Sequence, residues 1–200
     1  MTLYEQGRLA FYESTHEYRL DGVIKPGATQ VLEDVGLSDY SRIPVDQLAA
    51  AQERGDRVHE ITRLWDISDL DETSLNDFGR RYLDSWVKFR AHYLPTVSKF
   101  DLVESPLASL LYQYAGRPDR VVRGLCVLDI KSGADCPSAR YQLAAYEQLW
   151  KEELEPKDRL ERWVVYLSPD GEEGRLVRCK DKTDWSIFMS AKNVYHAKRK

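Results

Sequence analysis

Apolar and polar positions alternate at the two ends of this chain's sheet-forming stretches and recur every three to four residues elsewhere. Alternation puts successive side chains on opposite faces of a strand, whereas the longer period lines one face of a helix. Leu9-Ala10-Phe11-Tyr12 and Tyr18-Arg19-Leu20 read as strands, with Asp21-Gly22 turning the chain into Val23-Ile24. This hairpin over 9–25 is expected to be scaffold. Lys25-Pro26-Gly27-Ala28 breaks the pattern, and Thr29 is expected to cap a short helix, Gln30 to Val35, that stops at Gly36. A long helix is predicted over 44–66, with Pro44 in its first turn and Leu48, Ala51, Val58, Ile61, Leu64 and Trp65 at helical spacing. A second, 75–94, is predicted with Ser74 as its cap, Pro95 as its stop and an apolar stripe of Leu75, Phe78, Tyr82, Trp86, Phe89 and Tyr93. Its other face carries Arg80, Arg81, Lys88 and Arg90, a solvated row by default and a DNA-backbone patch by alternative.

The middle of the chain reads as sheet: Phe100 to Glu104, Leu107 to Tyr114, then two strands joined at Arg123-Gly124. A helix over 138–153 follows, then strands Arg162 to Ser168 and Arg175 to Lys180 around a Pro169-Asp170-Gly171 turn. The last helix, 183–198, is expected to bury Trp185, Phe188, Met189 and Tyr195, and its basic end Lys198-Arg199-Lys200 suits the helix dipole. Without repeats, low-complexity runs or a linker, the chain is expected to form one α/β domain over 1–200, its core over about 44–168, with a central mixed sheet flanked by helices.

Composition narrows the class only a little. A net charge of −4 announces no global basic field, yet a site built from carboxylates and local basic patches is compatible with a polyanionic partner. No apolar run approaches the roughly 20 residues that span a bilayer, and Met1-Thr2-Leu3-Tyr4-Glu5-Gln6 has no signal-peptide character. No membrane association is expected. Three cysteines without Cys-x-x-Cys spacing argue against zinc, iron–sulfur and disulfide frameworks, and a reducing cytoplasmic setting is expected.

The candidate chemistry lies in Gly116-Arg117-Pro118-Asp119-Arg120 and Val127-Leu128-Asp129-Ile130-Lys131. Asp129 and Lys131 share one strand face, while Leu128 and Ile130 point to the other, into a core. The turn at Arg123-Gly124 folds Asp119 back toward Asp129. Charges set into apolar strand sequence are costly unless they are paired or bind a metal. Two carboxylates with a main-chain carbonyl, such as that of Ile130, make a hard oxygen site of the kind Mg²⁺ or Mn²⁺ prefers. Such an ion activates water and neutralises phosphodiester charge, and Lys131 beside it can orient that water and stabilise a pentacoordinate phosphate. In the first long helix, Gly55 and His59 share a face. The glycine costs about 1 kcal/mol relative to alanine, which close approach by another backbone or a ligand would justify. Taken alone, His59 reads as a packed, hydrogen-bonded core histidine.

Gly116-Arg117-Pro118-Asp119, Asp129-Ile130-Lys131 and Gln142-Leu143-Ala144-Ala145-Tyr146 together resemble the PD-(D/E)XK nuclease superfamily, and within it the RecB-like branch that includes phage exonucleases. Arg54-Gly55 with His59 resembles the glycine–histidine helix motif of that branch. The resemblance spans about 54–146, and the edges of the chain match loosely. It implies a restriction-endonuclease-like core and a Mg²⁺- or Mn²⁺-dependent deoxyribonuclease, an exonuclease of phage or bacterial DNA recombination, replication or repair. It implies that Asp119, Asp129, the Ile130 carbonyl and His59 hold the metal, that Lys131 activates water, and that Gln142 and Tyr146 position the DNA strand or the lysine. Glu60 is the alternative ligand if the helix is rotated, Glu104 a candidate outer acid and Ser132 a secondary candidate. DNA is the implied substrate, and a recombination or single-strand-binding protein the implied partner. The four cysteines of the iron–sulfur members of the branch are absent, so no iron–sulfur cluster is expected. The rival readings are a structure-specific endonuclease and a non-catalytic DNA-binding or assembly module; the latter would have lost an acid or the lysine, and neither is missing.

Overall fold

In a computed structural model, which describes residues 1–41 and 43–199, the chain is a mixed α/β structure with a five-stranded sheet flanked by helices on both faces. The sheet contains β4 (Leu102–Val103), β7 (Arg120–Val122), β8 (Cys126–Lys131), β9 (Glu161–Tyr166) and β10 (Arg175–Cys179), in the order β10-β9-β8-β7-β4. Only β8 and β9 run parallel. A parallel pair needs a long crossover, and α4 (Ala139–Glu153) provides it.

Alternation along β8 divides the core. Val127 packs with α1 (Ala28–Asp34), α4 and α5 (Asp184–Ala197) on one face. Leu128 and Ile130 pack on the other with Val58 of α2 (Val45–Asp66) and with Tyr82, Trp86 and Phe89 of α3 (Asp77–Tyr93). Trp86 and Phe89 are fully buried, and each contributes about 1.5–3 kcal/mol by leaving water. Asp129 and Lys131 share the face of Val127, as the two-residue period requires. A three-stranded antiparallel sheet, β1 (Leu9–Tyr12), β2 (Glu17–Leu20) and β3 (Val23–Lys25), lies at the front. A two-stranded ribbon, β5 (Leu107–Ala108) and β6 (Ala115–Gly116), lies between it and α4.

Several local expectations are corrected. The first short helix begins at Ala28, because the Gly27 N–H donates to Gln30 Oε1 at 3.3 Å, so Thr29 lies inside the helix and does not cap it. The cap of α3 is Asn76, whose Oδ1 accepts from the Gly79 N–H at 3.0 Å, and Ser74 belongs to a preceding single turn. The predicted strand from Leu107 to Tyr114 survives only at Leu107–Ala108, since Gln113 turns the chain at φ +59° and returns it as β6. The basic row of α3 is not a uniform solvated face. Arg90 Nη1 pairs with the buried Asp66 at 2.8 Å, and Lys88 Nζ donates to the Gly171 carbonyl at 2.6 Å. Trp185 and Met189 are half-buried, whereas Phe188 and Tyr195 are buried as expected. Of the basic C-terminal end, Lys198 and Arg199 bind Asp34, and Lys200 lies outside the described residues. Among the described residues no helix is long and apolar enough to cross a membrane.

Candidate functional site

The register of β7 on β8 sets Arg120 opposite Leu128, Val121 opposite Val127 and Val122 opposite Cys126, with Gly124 at φ +71° in the turn. Extended by one residue, it sets Asp119 opposite Asp129. Extended by two, it sets Pro118 opposite Ile130. The Leu125 and Lys131 carbonyls bond to β9, so the backbone groups of the even-numbered residues of β8 face β7. Proline has no N–H, so Pro118 cannot supply the ladder bond that the Ile130 carbonyl would accept. The Ile130 N–H donates instead to Asp119 Oδ2 at 2.6 Å. Pro118 thus ends the ladder at the point where a side-chain carboxylate takes over from the backbone.

Asp119, Asp129 and Lys131 meet as the sequence implied. Asp119 is 8% exposed and Asp129 only 1%. Lys131 Nζ donates to Asp129 Oδ1 at 3.1 Å and lies 2.9 Å from Oδ2. Burial alone would lower the pKa of Lys131, but the Asp129 and Asp119 carboxylates outweigh it and hold the ammonium protonated well above the ordinary lysine range. Burial raises Asp119 to about 6, with Asp129 and Glu104 adding to the rise against the opposing charges of His59 and Lys131.

His59 arrives from α2, with Nδ1 3.6 Å from both Asp119 Oδ1 and Glu104 Oε1. Burial opposes its protonation, but the two acids prevail and its pKa is raised. Glu60 turns toward Arg63, 2.7 Å away, so His59 is the helix residue that faces the acids. Glu104 is more central than expected. It follows β4 in the left-handed region at φ +41°, an unusual conformation for a residue with a side chain, and its Oε1 is buried without a hydrogen-bond partner. Burial would raise its pKa, yet His59, Arg120 and Arg117 bring it below the usual range.

From α4, the Gln142 amide donates to Tyr146 Oη at 2.8 Å and to Thr29 Oγ1 at 3.3 Å. Burial raises the Tyr146 phenol to about 12, against the lowering effect of the Gln142 bond and with the two aspartates adding to the rise, so the hydroxyl stays protonated. Gly116 explains itself here, because a Cβ at that position would stand 2.5 Å from Tyr146 Cε1. Gly55 does not, since a Cβ there would meet nothing within 4 Å, and no other backbone approaches it closely. Ser132 also falls away from the acids, where its carbonyl accepts from Tyr82 Oη at 3.1 Å.

Two features were missed from the sequence. Arg120 is wholly buried, with Nε 2.6 Å from Asp66 Oδ2, Nη1 2.7 Å from the Asp119 carbonyl and Nη1 3.5 Å from Glu104 Oε1. It props the backbone of one acid and faces the side chain of another. The signal was an arginine opening the apolar run Arg120-Val121-Val122. The second is the wall. Phe11 and Tyr18 of the front sheet and His16 of the β1–β2 connection, expected as scaffold, line the same cavity of about 850 Å³ as His59, Glu104, Asp119, Asp129, Lys131, Gln142 and Tyr146.

By donor type, the two aspartates, the imidazole and the freed Ile130 carbonyl fit a hard divalent cation, and the orphaned oxygen of Glu104 adds a further acceptor. Among the described residues, however, no three His, Cys, Asp or Glu side chains stand at a spacing that could hold a metal ion. Asp129 is turned onto Lys131, and His59 stops 3.6 Å from Asp119. Asp129 Oδ2 is buried without a hydrogen-bond partner, so it is a further acceptor beside that of Glu104.

No family model matches the sequence, and no curated protein does. Among solved structures, one that is similar is the crystal structure of LHK-Exo in complex with dAMP, at 14% identity and a TM-score of 0.39, with 87% of each chain covered.

Proposed function

We propose that the chain is a Mg²⁺- or Mn²⁺-dependent deoxyribonuclease of the PD-(D/E)XK type, an exonuclease acting in phage or bacterial DNA recombination, replication or repair. The observation that carries this reading is the convergence, in one cavity, of His59 from α2, Asp119, Asp129 and Lys131 from the β7–β8 hairpin, and Gln142 and Tyr146 from α4.

Asp119, Asp129, His59 and the Ile130 carbonyl would hold the ion, which when bound supplies Lewis-acid charge and lowers the pKa of a water. The chain's own residues account for the rest. Lys131 stays protonated, so it acts as a fixed cation that stabilises charge developing on the phosphate oxygens rather than as a base. The Tyr146 hydroxyl, oriented by the Gln142 amide, keeps its proton and can donate it in a hydrogen bond to a phosphate oxygen. Arg120 holds the Asp119 backbone in place from behind. In the reaction, water forms the new bond to phosphorus, one P–O ester bond breaks, and the leaving oxygen takes up a proton.

The test compares linear single-stranded, linear double-stranded and closed circular DNA with Mg²⁺, Mn²⁺ or chelator. Degradation of linear DNA only, with metal only, is the expected result. Cutting of circles would replace the exonuclease with an endonuclease, and no cleavage under any condition would overturn the reading.

A further inference from the structure

The front sheet carries groups that the proposed reaction leaves unused. The Arg117 guanidinium lies 4.9 Å from the centroid of the Phe11 ring, and Phe11 packs against Tyr18 at 4.7 Å. Phe11 and Arg117, with Glu104, belong both to the candidate site and to a second cavity of about 740 Å³. Beyond that shared wall, the second cavity presents Tyr4 and Tyr12, which are 46% and 48% exposed. Two exposed tyrosines on one concave surface, beside a cation and continuous with a site for a phosphodiester, form the combination that binds unpaired nucleotides: rings for the bases and charge for the backbone. A duplex hides the faces of its bases and would leave such rings without partners.

Arg117 already has an anion. Its Nη1 is 3.1 Å from Glu13 Oε1, and its Nη2 is 3.6 Å from Glu104 Oε2. The Glu13 side chain is 81% exposed. An ion pair that open to water contributes little, so a phosphate can displace Glu13 easily. Glu104 is buried and stays behind the guanidinium. Arg19, paired with Glu17 at 2.6 Å, lies 5.4 Å over the Tyr12 ring.

We infer that the second cavity holds single-stranded DNA running out of the candidate site, with Tyr4 and Tyr12 stacking on its bases and Arg117 exchanging Glu13 for a backbone phosphate. The choice of ligand rests on the nuclease reading above.

The test is binding of the full chain in chelator, by fluorescence anisotropy, to a labelled thymidine oligonucleotide and to an abasic deoxyribose-phosphate chain of the same length. Tyr4→Ala and Tyr12→Ala are each expected to weaken thymidine binding by about fivefold or more, and Tyr12→Phe to bind as the unaltered protein does. The abasic chain, which keeps the phosphates but has no rings, is expected to bind all of them alike. Glu13→Gln is expected to tighten both. Absence of thymidine binding, alanine variants that bind as the unaltered protein does, or an equal loss for the abasic chain would each overturn the inference. Normal metal-dependent cleavage by tyrosine variants with unchanged affinity would sink this inference and leave the nuclease reading intact. Ring-dependent binding by a protein that cuts no DNA would do the reverse.

Discussion

Asp119→Asn separates what this site does for stability from what it does for chemistry. Without a cation, the Asp119 carboxyl is buried beside Asp129 and Glu104, and its pKa rises from the ordinary 3.8 to about 6. Between those values the folded chain binds a proton that the unfolded chain has lost, so stability falls as pH rises through this window. At roughly 1.36 kcal/mol per pH unit, the ionised form costs about 3 kcal/mol above pH 6. Asparagine is isosteric and does not titrate, and its amide oxygen can still accept from the Ile130 N–H. In chelator at pH 8, Asp119→Asn is therefore expected to melt about 6–12 °C above the unaltered protein, at about 2–4 °C per kcal/mol for a chain of this size. At pH 4 the two are expected to melt together. With Mg²⁺ or Mn²⁺ the unaltered protein is expected to gain stability and the variant to gain much less. Thermal unfolding across pH 4–8, with and without metal, reads all of this. A variant less stable than the unaltered protein at pH 8 in chelator, or a difference that does not change with pH, would refute the electrostatic account of the site.

Four further substitutions probe other parts. Lys131→Ala is expected to reduce DNA cleavage by about 10²–10³-fold while the metal-induced melting shift persists; unchanged cleavage would make the lysine structural. Gly116→Ala drives a Cβ into the Tyr146 ring, so a loss of about 1–3 kcal/mol is expected in denaturant titration, and a smaller loss when Tyr146→Ala makes room. Arg120→Met strips Asp66, Thr62 and the Asp119 carbonyl of a partner inside the core, with an expected cost of about 3–5 kcal/mol measured by chemical unfolding. Gly55→Ala is expected to stabilise α2 by about 1 kcal/mol with cleavage unchanged, and a loss of cleavage in a folded variant would mean that a ligand needs the space.

The sequence by itself determined the elements and the chemical core. Period-two alternation and the Arg123-Gly124 turn suffice to place Asp119, Asp129 and Lys131 together, since a tight hairpin leaves almost no freedom in register. The long helices were equally legible, because their apolar stripes repeat over many residues. Short-range signals that compete with one another were less so. Thr29 and Ser74 both look like caps, but Gly27 and Asn76 hold the helix ends. Only the tertiary structure decided that Glu104 turns inward at φ +41°, that Arg120 is buried against Asp66, that Gly116 makes room for Tyr146, that Phe11 and Tyr12 are walls rather than scaffold, and that Tyr4 stands beside them. Each of these joins residues far apart in the chain or depends on which way a side chain turns. A local pattern carries the periodicity of an element but not the identity of whatever packs against it, and desolvation, which sets the pKa of Asp119 and the pairing of Arg120, exists only once that packing is complete.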